Sequence, residues 1–492
     1  MRFSIGNLGG QPCIELCILD ISERPCYSSG NHCNSDNNFY GHNYLYRAGA
    51  ALGDELNKNE WRTEVCARKQ SRRSLRNIRS WTSPYDHDGF SPLDLLSATL
   101  AANLVISKST LQNSSVMAFG KTDFPLGFTV PNALEVTRPV PVEDLDESIT
   151  QVVASKYHSM ALGVSGALYS WGHGKSGRLG HGNEENHPTP ARVPSLRNVV
   201  IVSISASDSH SLAISMDGTI FAWGSNSHFQ LGCDRGGFVT APQRVDALKK
   251  LRVVGCSAGN THSICFTDQN EVYAWGSNKC GQLGVAHDKS SAAGSCVAVP
   301  KRVPIERSLK QYGSVKIIQA SAGVDNTLLL FRPRSKDSMV NEVYQWGNGS
   351  PNHIRVVFRK KKRSLSGNIE ATPHGVALVA ENPTNVIQVC AAKTHNVAVT
   401  DAGFVYTWGM GSDQLGHGIS DSHLSAPLLI ESLLPEKGGG RVIHASVCAN
   451  RTCVVTAHGD LFTWGSTAET GVLGLGASRF TPVPRRVLGI KR

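Results

Sequence analysis

The sequence has no long apolar run, and its longest hydrophobic stretches fall far short of the roughly 20 residues that a membrane-spanning helix needs. The opening segment, MRFSIGNLGGQPCIELCILD, is interrupted by Glu15 and Asp20 and lacks the pattern of a secretory signal. With 40% hydrophobic and 18% charged residues, the 492-residue chain has the composition of a soluble globular protein. We therefore expect no membrane partner and a cytoplasmic location, with the nucleus as a second location.

Cysteine pairs with C-x-x-C spacing are also missing. The 13 cysteines are an odd number and contain no C-x-x-C motif, and several lie in strand-like contexts typical of buried free thiols. The single cluster of potential ligands lacks zinc-site spacing and comprises Cys13, Cys17, Cys26, His32 and Cys33. We predict a reducing compartment, no metal site and no cofactor.

No catalytic arrangement can be singled out. Three aspartates that could serve as acids lie in or beside hairpin turns, where aspartate is favoured for local hydrogen bonding: Asp217, Asp268 and Asp401. The stretch SWGHGKSGRLGHG contains Gly174-Lys175-Ser176, which match the last three residues of a phosphate-loop pattern. The full pattern, G-x-x-x-x-G-K-[ST], requires glycine at the position of Tyr169. No helical pattern follows, so we predict a non-enzymatic protein without a nucleotide site.

The net charge of +10 is concentrated rather than spread over the chain. Residues 332–363 alone contain nine basic and two acidic residues, which argues against a nucleic-acid-binding surface over the whole protein. Five consecutive basic residues are predicted to form an exposed loop: Arg359, Lys360, Lys361, Lys362 and Arg363. They are candidates for a solvated loop, a nuclear-import signal or a patch for an acidic partner, and Ser366 is a candidate phosphorylation site that would lower the local charge.

An internal repeat organises most of the chain. Six tryptophans are each followed by glycine, at spacings of 52, 52, 71, 62 and 56, and a phenylalanine-glycine pair lies 52 residues before the first. These structural markers are Phe119, Trp171, Trp223, Trp275, Trp346, Trp408 and Trp464. A Leu-Gly pair follows every marker except Trp346, and a Pro-x-x-Val-type segment comes later in each unit.

A histidine lies 13 residues before four of the tryptophans, at His158, His210, His262 and His395. Arg451 has the same offset from Trp464, and Asn326 is the apparent equivalent before Trp346. Because a residue that recurs once per repeat is normally structural, we interpret these histidines as bonding to a neighbouring backbone rather than as a metal or catalytic set.

Each unit alternates in short β-branched or aromatic runs, and HSLAISMDGTIFAWG reads as strand, two-residue Asp217-Gly218 turn and strand. Four short strands cannot bury both faces of a sheet alone, whereas radial stacking around a ring does so. We predict an all-β fold, a seven-bladed β-propeller of about 50-residue repeats, with each tryptophan packed between adjacent sheets and glycines at the sharp turns.

The repeat HSMALGVSGALYSWGHGKSGRLGHG and its sister units resemble the repeat of the regulator of chromosome condensation family, over roughly residues 111–492. A second segment, DHDGFSPLDLLSATL at residues 86–100, resembles the first turn and helix of an ankyrin repeat, with Ser91 as cap and Pro92 at the first helical position. An ankyrin helix followed by this propeller is similar to the inhibitor of Bruton tyrosine kinase family. That resemblance implies a non-catalytic scaffold whose BTB domains recruit a cullin ubiquitin ligase, although no BTB domain is expected before Arg492.

These patterns predict three regions: residues 1–82, weakly ordered or partly helical; residues 83–110, an ankyrin-like remnant with a short helical segment; and residues 111–492, the propeller. Seven Trp-Gly or Phe-Gly halves are present but only six of the preceding halves. We therefore predict one incomplete or degenerate blade, at Phe119, patched by NLVISKS at residues 103–109 or by chain beyond VLGIKR.

The leading functional hypothesis is a protein-interaction scaffold or adaptor, with a tyrosine kinase or ubiquitin-ligase machinery as the partner that the resemblance implies. The alternative is guanine-nucleotide exchange on a small GTPase, as in the founding member of the propeller family. A third, weaker hypothesis is chromatin association through the basic loop, with direct nucleic-acid binding disfavoured.

Overall fold

The computed structural model describes residues 2–8, 11–17, 96–98, 102–108, 114–121, 126–128, 135–286, 295–334, 340–348, 350–358, 385–418, 423–448, 450–468 and 470–489. The chain divides into two compact units, residues 1–91 and 92–492. In the first unit, β1 (Arg2–Leu8) and β2 (Gln11–Cys17) form an antiparallel hairpin. These residues were predicted to be weakly ordered or partly helical, and the described part is strand.

In the second unit, the described residues form seven sheets of four antiparallel strands each, named A to G in chain order. Sheet A contains β3 to β6 (Leu96–Ala98, Ala102–Lys108, Ser114–Lys121, Glu135–Pro141) and sheet B contains β7 to β10 (Ile149–Ala154, His158–Gly163, Leu168–Gly172, His187–Arg192). Sheet C contains β11 to β14 (Ile201–Ala206, His210–Ser215, Ile220–Ser225, Phe238–Arg244) and sheet D contains β15 to β18 (Val253–Ala258, His262–Thr267, Val272–Ser277, Cys296–Arg302).

Sheet E contains β19 to β22 (Val315–Ala322, Asn326–Pro333, Glu342–Gly347, Ser350–Val356). Sheet F contains β23 to β26 (Val386–Ala391, His395–Thr400, Val405–Met410, His423–Leu429), and sheet G contains β27 to β30 (Val442–Cys448, Arg451–Thr456, Leu461–Ser466, Phe480–Arg486). Two short helices, α1 (Glu306–Leu309) and α2 (Ser412–Leu415), lie in connections. Single 3₁₀ turns occupy Lys175–Gly177, Pro194–Leu196, Asp246–Leu248, Lys310–Tyr312, Glu431–Leu433 and Pro435–Lys437. Among the described residues, no helix has the length and apolar character needed to cross a membrane.

Sheets B to G confirm the all-β propeller. The second strand of sheets B, C, D, F and G is buried at every residue, because neighbouring sheets cover both of its faces. The fourth strand forms the outer edge of each sheet and is more exposed. It contains proline in every sheet, for example Pro242 and Pro300, and proline on an edge strand discourages pairing with another chain.

The tryptophans pack between sheets, as predicted from the repeat. One core cluster joins Met160 and Leu162 of sheet B to Trp223 of sheet C, and another joins Leu212 of sheet C to Trp275 of sheet D. Equivalent clusters join sheet D to Trp346 and sheet F to Trp464. The marker residues are at most 4% exposed, so each is a core side chain whose loss leaves a large cavity.

Sheet A was predicted to be incomplete, but it contains four strands. Its second strand, Ala102–Lys108, pairs with Ser114–Lys121 and coincides with the segment predicted to patch this unit. The helical interpretation of residues 83–110 is wrong where the structure describes them, because Leu96–Ala98 and Ala102–Lys108 are strands. The run Leu104-Val105-Ile106 suits a strand, and pairing with the Phe119 strand outweighs the local helix-start signal. Residues 83–95, with the proposed cap, lie outside the described residues.

Candidate interaction site at the mouth of the central channel

The same turn of six sheets surrounds one cavity of about 150 Å³. In each of sheets B to G, the turn joins the first strand to the second, and the cavity therefore lies on the propeller axis. The lining segments are 154–156, 206–208, 258–260, 322–324, 391–393 and 447–448. We call this region the channel mouth.

A histidine begins the second strand directly after this turn in sheets B, C, D and F, and all four histidines are fully buried. The residue three positions before it differs between sheets. In sheets B and C it is Ser155 or Ser207, whose hydroxyl oxygen lies 2.7 Å from the Nδ1 atom of His158 or His210. The hydroxyl therefore tethers the imidazole ring to its own turn.

The other ring nitrogen reaches the next sheet. Each Nε2 atom lies within hydrogen-bond distance of a hydroxyl oxygen in the second strand of the following sheet. The pairs are His158–Ser211 (2.8 Å), His210–Ser263 (2.9 Å), His262–Thr327 (3.0 Å) and His395–Thr452 (2.8 Å). In sheet E, the Nδ2 atom of Asn326 donates to the Oδ1 atom of Asn396 at 2.8 Å. The prediction of a bond to a neighbouring backbone is thus corrected, because the direct partner is a side chain.

The hydroxyls that pair with the histidines also bond to the backbone. The hydroxyl of Ser263 donates to the carbonyl oxygen of Gln230 at 2.8 Å, and the indole Nε1 atom of Trp275 donates to the same oxygen at 2.8 Å. The same sharing occurs at the carbonyls of Arg178, Gln282 and Gln414. Since the hydroxyl hydrogen is used in this way, the imidazole Nε2 atom must carry the hydrogen in the bond between sheets.

Burial keeps these histidines uncharged. Desolvation is the main cause that lowers the pKa of His210 and His395 to about 3 and that of His262 to about 4, and the pKa of His158 is also well below its usual value. A neutral, fully buried imidazole with this pKa is poorly suited to proton transfer near pH 7. The geometry instead gives the histidines a role in holding adjacent sheets together.

Sheet E lacks the Leu-Gly pair, and the next tryptophan compensates with a different acceptor. The Nε1 atom of Trp408 donates to the side-chain oxygen Oε1 of Gln345 at 2.9 Å. The ring of Phe358 also packs edge-on against Trp408, with 5.8 Å between centroids. The degenerate unit is therefore a complete sheet with a substituted hydrogen bond.

A second substitution lies between sheets G and A. Phe119 occupies the marker position of sheet A and has no N–H group to donate. The carbonyl oxygen of Val472, which is equivalent in sequence to that of Gln230, instead accepts from the Nη1 atom of Arg451 at 2.6 Å. Phe119 and Leu461 share one core cluster, so the two sheets also meet through apolar contact.

The Gly174-Lys175-Ser176 loop has no phosphate cradle in the structure. Two of its backbone N–H groups are already used, since Ser176 donates to Glu184 at 2.7 Å and Gly174 donates to Asn186 at 2.9 Å. Gly177 lies against the next sheet, where a β-carbon would come within 2.4 Å of the Thr240 α-carbon. The loop connects strands, as its sister units predicted.

Two residues that depart from the repeat come together beside the channel mouth, where Tyr157 follows the lining residue Lys156. Tyr157 occupies a position that is serine or threonine in sheets C, D and F, and it is 36% exposed. Arg178 occupies a position that is glutamine in three sister units, and its guanidinium carbon lies 4.9 Å from the centre of the Tyr157 ring. The ammonium group of Lys156 lies 4.8 Å from the same ring centre. The Tyr157 ring therefore contacts two cations, the guanidinium of Arg178 and the ammonium group of Lys156.

Arg178 is held rigidly and is only 7% exposed. Its Nε atom donates to the carbonyl oxygen of Lys175 at 2.8 Å, and Nη1 donates to that of Asp208 in sheet C at 2.8 Å. The sequence reasoning did not single out Tyr157 or Arg178. The signal that could have identified them is their departure from otherwise regular repeat positions.

The predicted site residues Arg359 to Arg363 and Ser366 lie outside the described residues, between Phe358 and Asn385. The side chains of Cys13, Cys17, Cys26, His32 and Cys33 are likewise outside the described part. Within the described ranges, no group of three or more histidine, cysteine or acidic side chains could hold a metal ion.

A series of four-stranded sheets, joined by tryptophans and at four junctions by a histidine–hydroxyl bond, defines a repeat propeller of the regulator of chromosome condensation type. The chain belongs to the RCC1-like domain family, whose sequence profile matches residues 115–492. The family resemblance predicted from the repeat is therefore confirmed, whereas the nearer resemblance to the inhibitor of Bruton tyrosine kinase family stays a prediction.

Sequences similar to this chain occur in several different proteins. The human E3 ubiquitin-protein ligase HERC2 is 30% identical over 369 residues, which is 73% of this chain but 7% of HERC2. The ultraviolet-B receptor UVR8 of Arabidopsis thaliana is 28% identical over 345 residues, covering 69% of this chain and 70% of the receptor. The chain thus corresponds to a small part of HERC2 and to most of UVR8.

Solved structures agree with the fold. Human WBSCR16 matches with a TM-score of 0.60 and 21% identity, covering 76% of this chain and 94% of that one. Prp20p of Saccharomyces cerevisiae matches with a TM-score of 0.60 and 19% identity, covering 78% and 88%.

Proposed function

We propose that this chain is a non-catalytic protein-interaction scaffold that presents a propeller face to its partner. The observation that carries the proposal is the use of the recurring polar residues. The histidines bond to hydroxyls of the next sheet, and those hydroxyls and the tryptophans donate to the same backbone carbonyls. The residues that break the repeat, Tyr157 and Arg178, lie together beside the channel mouth. Tyrosine is among the residue types enriched in protein-binding hot spots, and Tyr157 is exposed.

The scaffold is proposed to be a closed ring of seven blades, with sheet A as the seventh. Two contacts support closure. The core cluster around Phe119 includes Trp171 of sheet B and Cys453 of sheet G, and Arg451 supplies the hydrogen bond that Phe119 cannot make. Closure protects the sheet edges, and a closed ring gives a partner one continuous face.

Ubiquitin-ligase machinery is the proposed partner class, with a tyrosine kinase as the other class that the resemblance implies. The similarity to HERC2 supports the first, because HERC2 is itself an E3 ubiquitin-protein ligase. A kinase-inhibiting role stays a proposal. A cytoplasmic location with a nuclear pool is also proposed, and Arg359 to Arg363 would direct import or bind an acidic partner. Unchanged localisation and partner binding after replacement of all five by alanine would remove that role.

The scaffold proposal can be tested by site-specific photocrosslinking of the full chain in cells. A photoreactive amino acid replaces Asn260, which lines the channel mouth, or Lys250, which lies in the connection at the opposite end of sheets C and D. We expect one discrete adduct, reproducibly the same protein, from the mouth position. Absence of a discrete adduct from both positions would contradict the scaffold function.

Guanine-nucleotide exchange is the alternative. Its support is the likeness to Prp20p, a protein characterised for its binding to Gsp1p and histones, although 19% identity supports the fold alone. Release of a fluorescent guanine nucleotide from a panel of small GTPases distinguishes the two functions. The scaffold proposal expects no acceleration by catalytic amounts of the chain, and strong acceleration for one GTPase would favour exchange. The binding of Prp20p to histones makes chromatin association a third option, to be tested by histone pull-down at physiological salt.

A further inference from the structure

The channel mouth carries lysines on opposite sides. Lys156 in sheet B and Lys393 in sheet F both line the cavity. Sheets C, D and E separate them along one side of the ring and sheets G and A along the other, because the sheets follow chain order. One small group that enters the mouth therefore meets lysine residues from two different parts of the chain.

Among the described residues that line the mouth or adjoin it, the charges sum to a positive value. Lys156, Lys393 and the guanidinium of Arg178 oppose two carboxylates, Asp208 and Asp325, the latter adjacent to the lining residue Val324. The Asp208 carboxylate already accepts the backbone N–H of Lys156 at 3.2 Å. The Asp325 carboxylate interacts with the thiol of Cys280. Both acids are thus engaged with neighbouring groups, while the ammonium group of Lys393 is exposed.

The ring of Tyr157 holds two cationic side chains in place on one side of the mouth. Arg178 supports the ring at 4.9 Å and is itself fixed by two backbone carbonyls from different sheets. Lys156 lies against the ring at 4.8 Å, which restricts the rotation of its long side chain. Preorganisation of this kind lowers the entropy lost when a cation binds an anionic group.

We propose that the channel mouth binds a carboxylate side chain from an acidic segment of a partner protein. Lys156 and Lys393 pair with the carboxylate from opposite sides, and Tyr157 packs against the aliphatic part of the segment. The cavity of about 150 Å³ is smaller than the ~300–1,000 Å³ of pockets for larger ligands, and it suits one side chain rather than a nucleotide. This inference rests on the proposed scaffold function and adds the chemistry of the contact.

The test is fluorescence anisotropy with the full chain and a labelled peptide of alternating glutamate and glycine. A glutamine–glycine peptide of equal length and a single-stranded oligonucleotide of equal charge are the comparison probes. We expect binding of the glutamate peptide, at least tenfold weaker binding of the glutamine peptide, and weaker binding of the oligonucleotide. Preference for the oligonucleotide, or no binding of the glutamate peptide, would overturn the proposal.

The variants Lys156→Gln and Lys393→Gln should each weaken glutamate-peptide binding by about fivefold, since each removes one charge-assisted contact. Tyr157→Ser, which introduces the residue type found at the equivalent position in sheet C, should also weaken it. The matched control is Lys249→Gln, an exposed lysine at the opposite end of the sheets, which should leave binding unchanged. Equal loss with the control would mean nonspecific charge attraction. Thermal melts verify that every variant is folded.

The photocrosslinking experiment separates failure of this inference from failure of the scaffold function. A discrete adduct at the mouth that persists in the Lys156→Gln, Lys393→Gln double variant would retain the scaffold and reject the carboxylate site. Loss of that adduct in the double variant, with retention in Lys249→Gln, supports both.

Discussion

The Nε2 atom of His210 in sheet C lies 2.9 Å from the hydroxyl oxygen of Ser263 in sheet D, and both side chains are fully buried. The hydroxyl in turn donates to the backbone carbonyl of Gln230, which lies between the third and fourth strands of sheet C. This junction is satisfied within itself, because the Nδ1 atom of His210 also has a partner, the hydroxyl of Ser207. Loss of one partner therefore leaves a buried polar group without a hydrogen bond, which is costly in free energy.

The first prediction concerns this hydroxyl. Ser263→Ala should lower the free energy of unfolding by about 1–3 kcal/mol, because the Nε2–H group of His210 loses its acceptor. Urea denaturation followed by tryptophan fluorescence measures the change. Ser195→Ala, at an exposed serine in a connection, is the control and should change stability by less than ~0.5 kcal/mol. Equal effects of the two substitutions would contradict the structural role of the bond.

The second prediction is a stabilising substitution. The Nδ1 atom of His395 is buried and has no hydrogen-bond partner within the described part of the chain. Ala392 stands where Ser155 and Ser207 supply a hydroxyl in sheets B and C. Ala392→Ser should therefore raise the free energy of unfolding by about 1 kcal/mol, and Ser207→Ala should lower it by a similar amount. A destabilising Ala392→Ser would show that the hydroxyl does not reach the ring.

The third prediction is the acid sensitivity of the propeller. The folded-state pKa of His262 is lowered to about 4, so the unfolded chain takes up a proton near pH 6.5 that the folded chain excludes. This contribution to stability is present above pH 6.5 and is lost as the pH falls towards 4, with a slope of about 1.4 kcal/mol per pH unit for each such histidine. His158, His210 and His395 act in the same direction.

His262→Asn tests this linkage, since asparagine occupies the equivalent position in sheet E. Denaturation at pH 7.5 and at pH 5 should show that the variant loses about 2 kcal/mol less than the parent chain over this interval. The control Ser195→Ala, which removes no titratable group, should leave the pH dependence unchanged. Identical pH profiles for the parent and His262→Asn would disprove the assignment.

The fourth prediction couples the first and last sheets. Arg451→His should destabilise the propeller, because the carbonyl of Val472 loses its donor and Phe119 cannot replace it. Adding Phe119→Trp supplies an indole N–H, as in the sister sheets, and should recover at least ~1 kcal/mol of the loss. The coupling free energy from a double-mutant cycle is the measurement. Strict additivity of the two substitutions would contradict a compensating pair.

The sheets could be predicted from the sequence because burial requires the same residue types at the same positions of every unit. Every unit needs an aromatic side chain between sheets and a sharp turn after it, and Trp223-Gly224 recurs in register for this reason. Gly224 has φ of +104°, and a β-carbon there would meet the backbone of Ser209 and His210. The prediction of a helix after Ser91 was partly wrong. Local capping signals favour a helix, but pairing with a strand from another segment can override them, and this pairing cannot be read from the local sequence.

The sequence by itself determined the repeat, the propeller class and the structural character of the histidines, because these follow from periodic burial and turn chemistry. Tertiary structure alone decided which side chains meet between blades. It placed Arg451 at the carbonyl left open by Phe119, brought Arg178 to Tyr157, and set Lys156 across the mouth from Lys393. The physical reason is that these contacts join residues from different turns and sheets, and their distances depend on how the sheets close around the axis.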